Sequence, residues 1–251
     1  MKILLCVVAL LLLPLSSAWA TKYWIATTGS DANACASVDG EADPGVYKAS
    51  LLSAWGCLTG GDTLHAKAGT YSVANSQLNN PTLHNGTSGA PTIVEGEGKT
   101  TTIFVQSTLY QTGPHYVTFR DFKIDAQLTG GNLGTASSTA CSHVTVERVW
   151  VLDSNNSGLS FNCSFITVRY STLQNAGITA SNQAHGAYLQ ATDVLFEYNE
   201  VLNTRGTWYG LQCYKSGSVN ADRCIVRYNT FQDNYADLVL DGNDDQVYGN
   251  I

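Results

Sequence analysis

Val144-Thr-Val146-Glu147-Arg-Val-Trp-Val151 and Ile166-Thr-Val168-Arg169-Tyr-Ser-Thr-Leu173 are one eight-residue phrase repeated 22 residues later. The phrase also occurs as Val117-Thr-Phe119-Arg120-Asp-Phe-Lys-Ile124, Val194-Leu-Phe196-Glu197-Tyr-Asn-Glu-Val201 and Cys224-Ile-Val226-Arg227-Tyr-Asn-Thr-Phe231. A partial copy follows at Gln246-Val247-Tyr-Gly-Asn250. With Phe119, Val146, Val168, Phe196, Val226 and Val247 taken as equivalent, the steps are 27, 22, 28, 30 and 21 residues. Repetition at such a period marks a stacked-repeat architecture. Apolar residues alternate with outward ones inside each copy, which predicts a short strand and not a helical turn.

A turn of about 22 residues is too short for a pair of helices and suits a coil of short strands. Parallel stacking would set equivalent residues about 4.8 Å apart, so the sequence should contain ladders. Asn199, Asn229 and Asn250 fall in one column with Ser171 below them, and stacked amides can bond along such a column. The position after the core residue reads Arg120, Glu147, Arg169, Glu197, Arg227. Its sign alternates at every step, as attraction between neighbouring strands requires, so the column reads as structural. A second strand per turn aligns at Gly158-Leu-Ser-Phe161, Gly186-Ala-Tyr-Leu189, Gly210-Leu-Gln-Cys213 and Asp237-Leu-Val-Leu240. Alternation sends Leu159, Phe161, Leu189, Leu211, Leu238 and Leu240 inward and Ser160, Tyr188, Gln212 and Val239 outward.

This three-sided pattern resembles the right-handed parallel β-helix of the pectate-lyase-like superfamily over nearly the whole chain after residue 20. Gly60-Gly61-Asp62-Thr-Leu64 and Ala68-Gly69-Thr70-Tyr71 resemble that superfamily's first-turn signature. The resemblance implies an all-β, single-stranded parallel β-helix with three short strands per turn. It is poor for activity, because the fold hosts lyases, hydrolases, epimerases and non-catalytic surface proteins. Lys48 to Gly56 is amphipathic at helical spacing and is expected to cap the open apolar end of the coil. The N-terminal cap is placed at about residues 21–60 of a single domain spanning 21–251. The chain stops at Ile251 inside a recognisable turn, so a truncated C-terminal end is expected.

Lys2, the apolar run Ile3 to Leu15 and Ala18-Trp-Ala20 read as a secretory signal cut before Thr21. The run is shorter than a membrane span, and the mature chain is expected to be secreted, periplasmic or extracellular, and monomeric. Removing Lys2 leaves 12 basic against 20 acidic residues, a balance of −8. That balance argues against nucleic acid, and a polyanionic substrate would need a local basic patch. Six cysteines remain, an even number for an oxidising compartment. Register pairs Cys141 with Cys163 on adjacent turns; Cys35 and Cys57 flank the N-terminal segment, and Cys213 and Cys224 flank one loop. Stacked free thiols are the alternative.

With core and ladders removed, an outward patch remains. It holds His185, Tyr188 and Gln190, then Arg205, Trp208, Tyr209, Gln212, Tyr214 and Lys215, then Asp241, Asp244 and Asp245. The resemblance implies a substrate groove along this kind of face. The expected partner is a polysaccharide, with an acidic one favoured. Trp208, Tyr209, Gln190, Gln212 and Asp241 are binding candidates, since aromatic faces can stack on sugars. An eliminative lyase must neutralise a carboxylate, remove the proton beside it and protonate the departing oxygen. Arg205 suits the first role, Lys215 or His185 the second, and Tyr188 or Tyr214 the third. The plain alternatives are a turn residue for His185, surface aromatics for both tyrosines and a solvated loop lysine for Lys215. A glycoside hydrolase would need two carboxylates across the bond, and Asp241, Asp244 and Asp245 are the dense acidic group available. No cofactor is expected. Calcium on those aspartates is the one metal considered, without a recognised loop spacing. The competing reading is a non-catalytic surface, adhesion or structural coil.

Overall fold

The computed structural model describes residues 20–79, 84–111, 113–128, 131–135, 141–177, 184–205, 208–214 and 221–251. Residues 1–19 of the expected leader, and Lys215, lie outside them. The chain coils through three parallel sheets of nine, seven and seven strands. One layer runs Ser142–Glu147 on the first sheet, Trp150–Leu152 on the second and Leu159–Phe161 on the third. The next layer repeats it with Ser164–Arg169, Thr172–Gln174 and Ala187–Leu189. The architecture is a right-handed parallel β-helix, the hand expected of parallel crossovers.

The register is the one the repeats dictate. Phe119, Val146, Val168, Phe196, Val226 and Val247 pair in succession on the first sheet. The first five of these side chains are buried in the core. On the third sheet Ser160, Tyr188, Gln212 and Val239 pair in succession. Leu159, Phe161, Leu189 and Leu211 beside them are buried, and Leu238 and Leu240 pack against the core.

The eight-residue phrase is more than the single strand its alternation predicts. It is two strands joined by a corner. The corner residue is left-handed in every copy: φ is +63° at Asp121, +52° at Arg148, +53° at Tyr170, +54° at Tyr198 and +56° at Tyr228. Each such residue costs about 1 kcal/mol or more in isolation, so the surrounding stack must hold it. From the Tyr170 corner onward the asparagine column does so. The Asn199 amide donates to Val168 O (2.9 Å), and Asn199 Oδ1 accepts from Ser171 N (3.0 Å). Asn229 and Asn250 repeat this arrangement one and two layers on. Asn199 and Asn229 are buried, and buried amides must be bonded.

At the N-terminal end, Ser50 caps a five-residue helix, Leu51–Trp55, by accepting from Ser53 N (3.2 Å). Leu51, Ala54 and Trp55 join the hydrophobic core, and the helix packs against strands Lys22–Ile25 and Thr63–Ala66. The disulfides Cys35–Cys57, Cys141–Cys163 and Cys213–Cys224 are all formed. The second clamps adjacent layers, and the third ties a third-sheet strand to the first-sheet strand that follows it. No helix among the described residues is long and apolar enough to cross a membrane.

Candidate functional site

Of the expected patch, Tyr188, Gln190, Gln212, Tyr214 and Asp241 belong to third-sheet strands or the residues directly after them. Tyr188 and Gln212 pair directly on adjacent layers, where Tyr188 is partly exposed but Gln212, expected to face outward, is buried. The next outward column is Gln190, Tyr214 and Asp241, continued by hydrogen bonds from Tyr214 N to Leu189 O (3.1 Å) and from Asp241 N to Cys213 O (3.0 Å). Gln190 donates from Nε2 to the Tyr188 phenol oxygen (2.7 Å). Burial pushes the Tyr188 phenol up, and the neighbouring Tyr214 adds to this, against the lowering effect of Gln190. Tyr188 is therefore a protonated phenol at neutral pH, with Tyr214 partly exposed beside it.

His185 behaves differently from the surface base its sequence position allows. It has no exposed surface. Its ring is nearly parallel to Tyr188 (centroids 5.1 Å, 11°) and to Tyr209 (5.9 Å, 7°), with Trp208 edge-on at 5.7 Å. Its Nδ1 accepts from Tyr209 N (3.2 Å), so Nε2 carries the proton. Burial lowers its pKa to about 4, so the ring is neutral and packed. Gly186, directly before the strand Ala187–Leu189, lets the layers approach here. A Cβ on Gly186 would lie 2.4 Å from Gly210 O.

The structure thus brings His185, Tyr188, Gln190, Trp208, Tyr209, Gln212 and Tyr214 together. Arg205 is exposed on the stretch after the second-sheet strand Glu200–Leu202, its backbone donating to Ala176 O (2.8 Å). Among the described residues its guanidinium has no ion pair. Asp241 lies one layer on, while Asp244 and Asp245 are carried round the corner to the edge of the first sheet. Asp245 is a turn cap there, accepting from Cys224 N (2.8 Å) and Gly242 N (3.2 Å). Among the described residues no group of three or more histidine, cysteine or acidic side chains is arranged to hold a metal.

A second concave surface escaped the sequence reading. It lies on the outer face of the first sheet and forms an open furrow of about 450 Å³ over Thr118, Thr145 and Thr167. Its wall is a stack of rings from Tyr116, His143 and Phe165, with centroids 4.2 and 4.6 Å apart. These residues are left-handed, with φ between +52° and +57°, and bulge out of their strands because the register passes over them. A smaller furrow of about 330 Å³ follows, lined by Leu195, Arg223, Ile225 and Asp244 and sharing Asp193 with the first. The threonine column was visible in the repeated phrase, but nothing in the residue types announced the bulge.

No model of a known protein family matches the sequence, and no curated protein matches it. Among solved structures, the chain is similar to alginate lyase from Paenibacillus sp. strain FPU-7. The identity is 19% and the TM-score 0.52, over 80% of this chain and 72% of that one. It is also similar to pectate lyase Pel9A, at 18% identity and a TM-score of 0.44 over 84% of this chain and 51% of that one. The likeness to the alginate lyase agrees with the fold that the repeats and register describe independently, a right-handed parallel β-helix.

Proposed function

We propose that the protein is exported and acts on a polysaccharide along the outer face of the third sheet, by elimination on an acidic glycan. One observation carries the reading: Tyr188, a protonated phenol whose oxygen is held by Gln190, stands beside the exposed Tyr214. A phenol so placed can give its proton to the departing glycosidic oxygen. Arg205, unpaired among the described residues, neutralises the uronate carboxylate. Lys215, next in sequence to Tyr214, takes the proton from the carbon beside that carboxylate. The electron pair of the broken C–H bond forms the new double bond as the C–O bond on the adjacent carbon breaks. Tyr188 supplies the proton that the leaving oxygen needs. His185, buried and neutral, orients Tyr188 through ring stacking and touches no substrate.

Several features support this reading beside the chemistry. The chain contains three disulfides, which favours an oxidising compartment. The alginate lyase of similar fold is named for a uronate polymer. The test is a panel of polysaccharides read by the ultraviolet absorbance of unsaturated uronates and by reducing-end release. New absorbance from the wild type, lost in Lys215→Ala and Arg205→Ala, is the expected result. Reducing ends without absorbance would mean hydrolysis, and neither signal would leave a binding or structural coil.

A further inference from the structure

Asp62 is a carboxylate with 4% exposure, and among the described residues no ion pair includes it. Its partners are all neutral. Oδ1 accepts from the backbone N–H of Thr21 (2.8 Å), and Oδ2 accepts from the N–H (2.6 Å) and hydroxyl (2.8 Å) of Thr59. A buried charge without a countercharge is costly, most of all in a chain that is acidic overall. Thr21 is itself pinned from the other side, since its carbonyl accepts from Thr63 N (2.8 Å). It leads directly into Lys22–Ile25, the outermost strand of the first sheet. A hollow of about 160 Å³ lined by Ala20, Thr21, Thr59 and Asp62 adjoins the contact, and Ala20 is exposed. Thr21 is also the residue that follows the Ala18-Trp-Ala20 cleavage pattern.

We propose that Thr21 is the mature N-terminus and that its α-ammonium group is the countercharge of Asp62. A leader peptidase hydrolyses the Ala20–Thr21 amide with one water. The C–N bond breaks, the hydroxyl goes to the Ala20 carbonyl carbon, and the Thr21 nitrogen gains the proton. At neutral pH the products are a departing carboxylate and an ammonium group already at the Asp62 oxygen. A hydrogen bond charged on its acceptor side alone becomes an ion pair charged on both sides, so removing the leader tightens the first strand of the coil. Processing and folding are thereby coupled.

The groups around this nitrogen reinforce the assignment. Asp39 and Glu41 line the adjoining hollow on the far side of Thr21, with Lys22 the opposing cation there. Tyr23 feels both Asp62 and Asp39, its phenol raised first by burial. His84 also lies within the field of Asp62, its pKa lowered first by burial. The surroundings are mostly anionic and raise the amine pKa above its ordinary value of about 8. The resulting stability is complete below about pH 8 and is lost as pH rises through the raised value.

The experiment compares the secreted chain, its N-terminus identified by mass spectrometry, with the same chain acetylated at the α-amine and with one carrying Gly-Ser before Thr21. The first residue is expected to be Thr21. Its Tm at pH 7 should exceed both blocked forms by several degrees, and the gap should close at pH 10 and in Asp62→Asn. If Asp62→Asn does not fold, titration of the wild-type amine by ¹³C-dimethyl NMR decides, with a pKa well above 8 expected. A different first residue, equal Tm values for free and blocked termini, or an amine pKa at or below about 8 overturns the proposal. None of these outcomes depends on the glycan-directed reading.

Discussion

Glu197 accepts from Arg227 on the following layer at 2.6 and 2.8 Å, although Arg169 on the preceding layer is equally close in register. The same choice is made at Glu147, which takes Arg169 (2.7 Å), and at Glu95, which takes Arg120 (2.9 Å). Within the column each of these glutamates therefore pairs with the following layer, while Arg148 beside it joins Glu147 to Asp121. Double-mutant cycles by urea denaturation should find coupling between Glu197 and Arg227, using Glu197→Gln and Arg227→Gln. The cycle of Glu197→Gln with Arg169→Gln should give a coupling within experimental error. Equal couplings would mean that the column acts as one network.

The asparagine corner should be far more sensitive. Asn229 Nδ2 donates to Phe196 O and to Asn250 Oδ1 (both 2.9 Å), and its Oδ1 accepts from Asn199 N at 2.8 Å. Asn229→Leu would strand a buried carbonyl and a buried N–H together, at a cost of about 2–4 kcal/mol. Asn199→Ser should cost much less than Asn199→Leu, because Ser171 already serves this column, accepting from Val149 N at 3.1 Å. Chemical denaturation of the three variants checks the order. A tolerated Asn229→Leu would show that water replaces the amide.

Acid should weaken the fold in two separable windows. His185 has its pKa lowered by burial to about 4 from 6.5. The unfolded chain then binds the proton that the folded chain refuses, so stability falls as pH drops from about 6.5 toward 4. Glu95 works lower down. Burial opposes its charge, but hydrogen bonds from His65 and Arg120, with the field of Lys22, hold it at about 2 from 4.5. Its contribution is complete above about pH 4.5 and is lost as pH falls toward 2. His185→Phe should flatten the first limb of a Tm–pH curve and Glu95→Gln the second. A His185→Phe curve that keeps the slope between pH 6.5 and 4 would remove histidine as its source.

These predictions divide along the line between what the residues announced and what they hid. The stack was legible because Phe119, Val146, Val168 and Phe196 repeat a two-residue alternation that only a strand can use. The register of Ser160, Tyr188, Gln212 and Val239 followed from the same rule, but Gln212 is buried. The corners were not legible. Arg148, Tyr170 and Tyr198 take left-handed backbone that their side chains disfavour, so tertiary packing decides the conformation. Glu95 escaped the charge column because Thr92–Gly96 lacks the rest of the phrase. His185 precedes a glycine on a turn, a position equally compatible with a solvated base. Only the closing of Tyr188, Trp208 and Tyr209 around it makes it a packed group.

Tyr188 offers the sharpest test of the chemistry, because its ring and its hydroxyl have separate jobs. Tyr188→Phe keeps the ring stacked on His185 and removes only the group that reaches the leaving oxygen. Turnover on an acidic polysaccharide should fall about 10²–10⁴-fold, with Tm and glycan binding nearly unchanged. Gln190 supplies the second arm. Its Nε2 donates to the phenol oxygen, which favours the ionised form, so Gln190→Leu should raise the Tyr188 pKa further. A proton donor fails when it ionises, so the alkaline limb of the pH–rate profile should move to higher pH in this variant. A limb that stays in place would separate Tyr188 from the proton transfer. Full activity in Tyr188→Phe would move the chemistry off this face altogether.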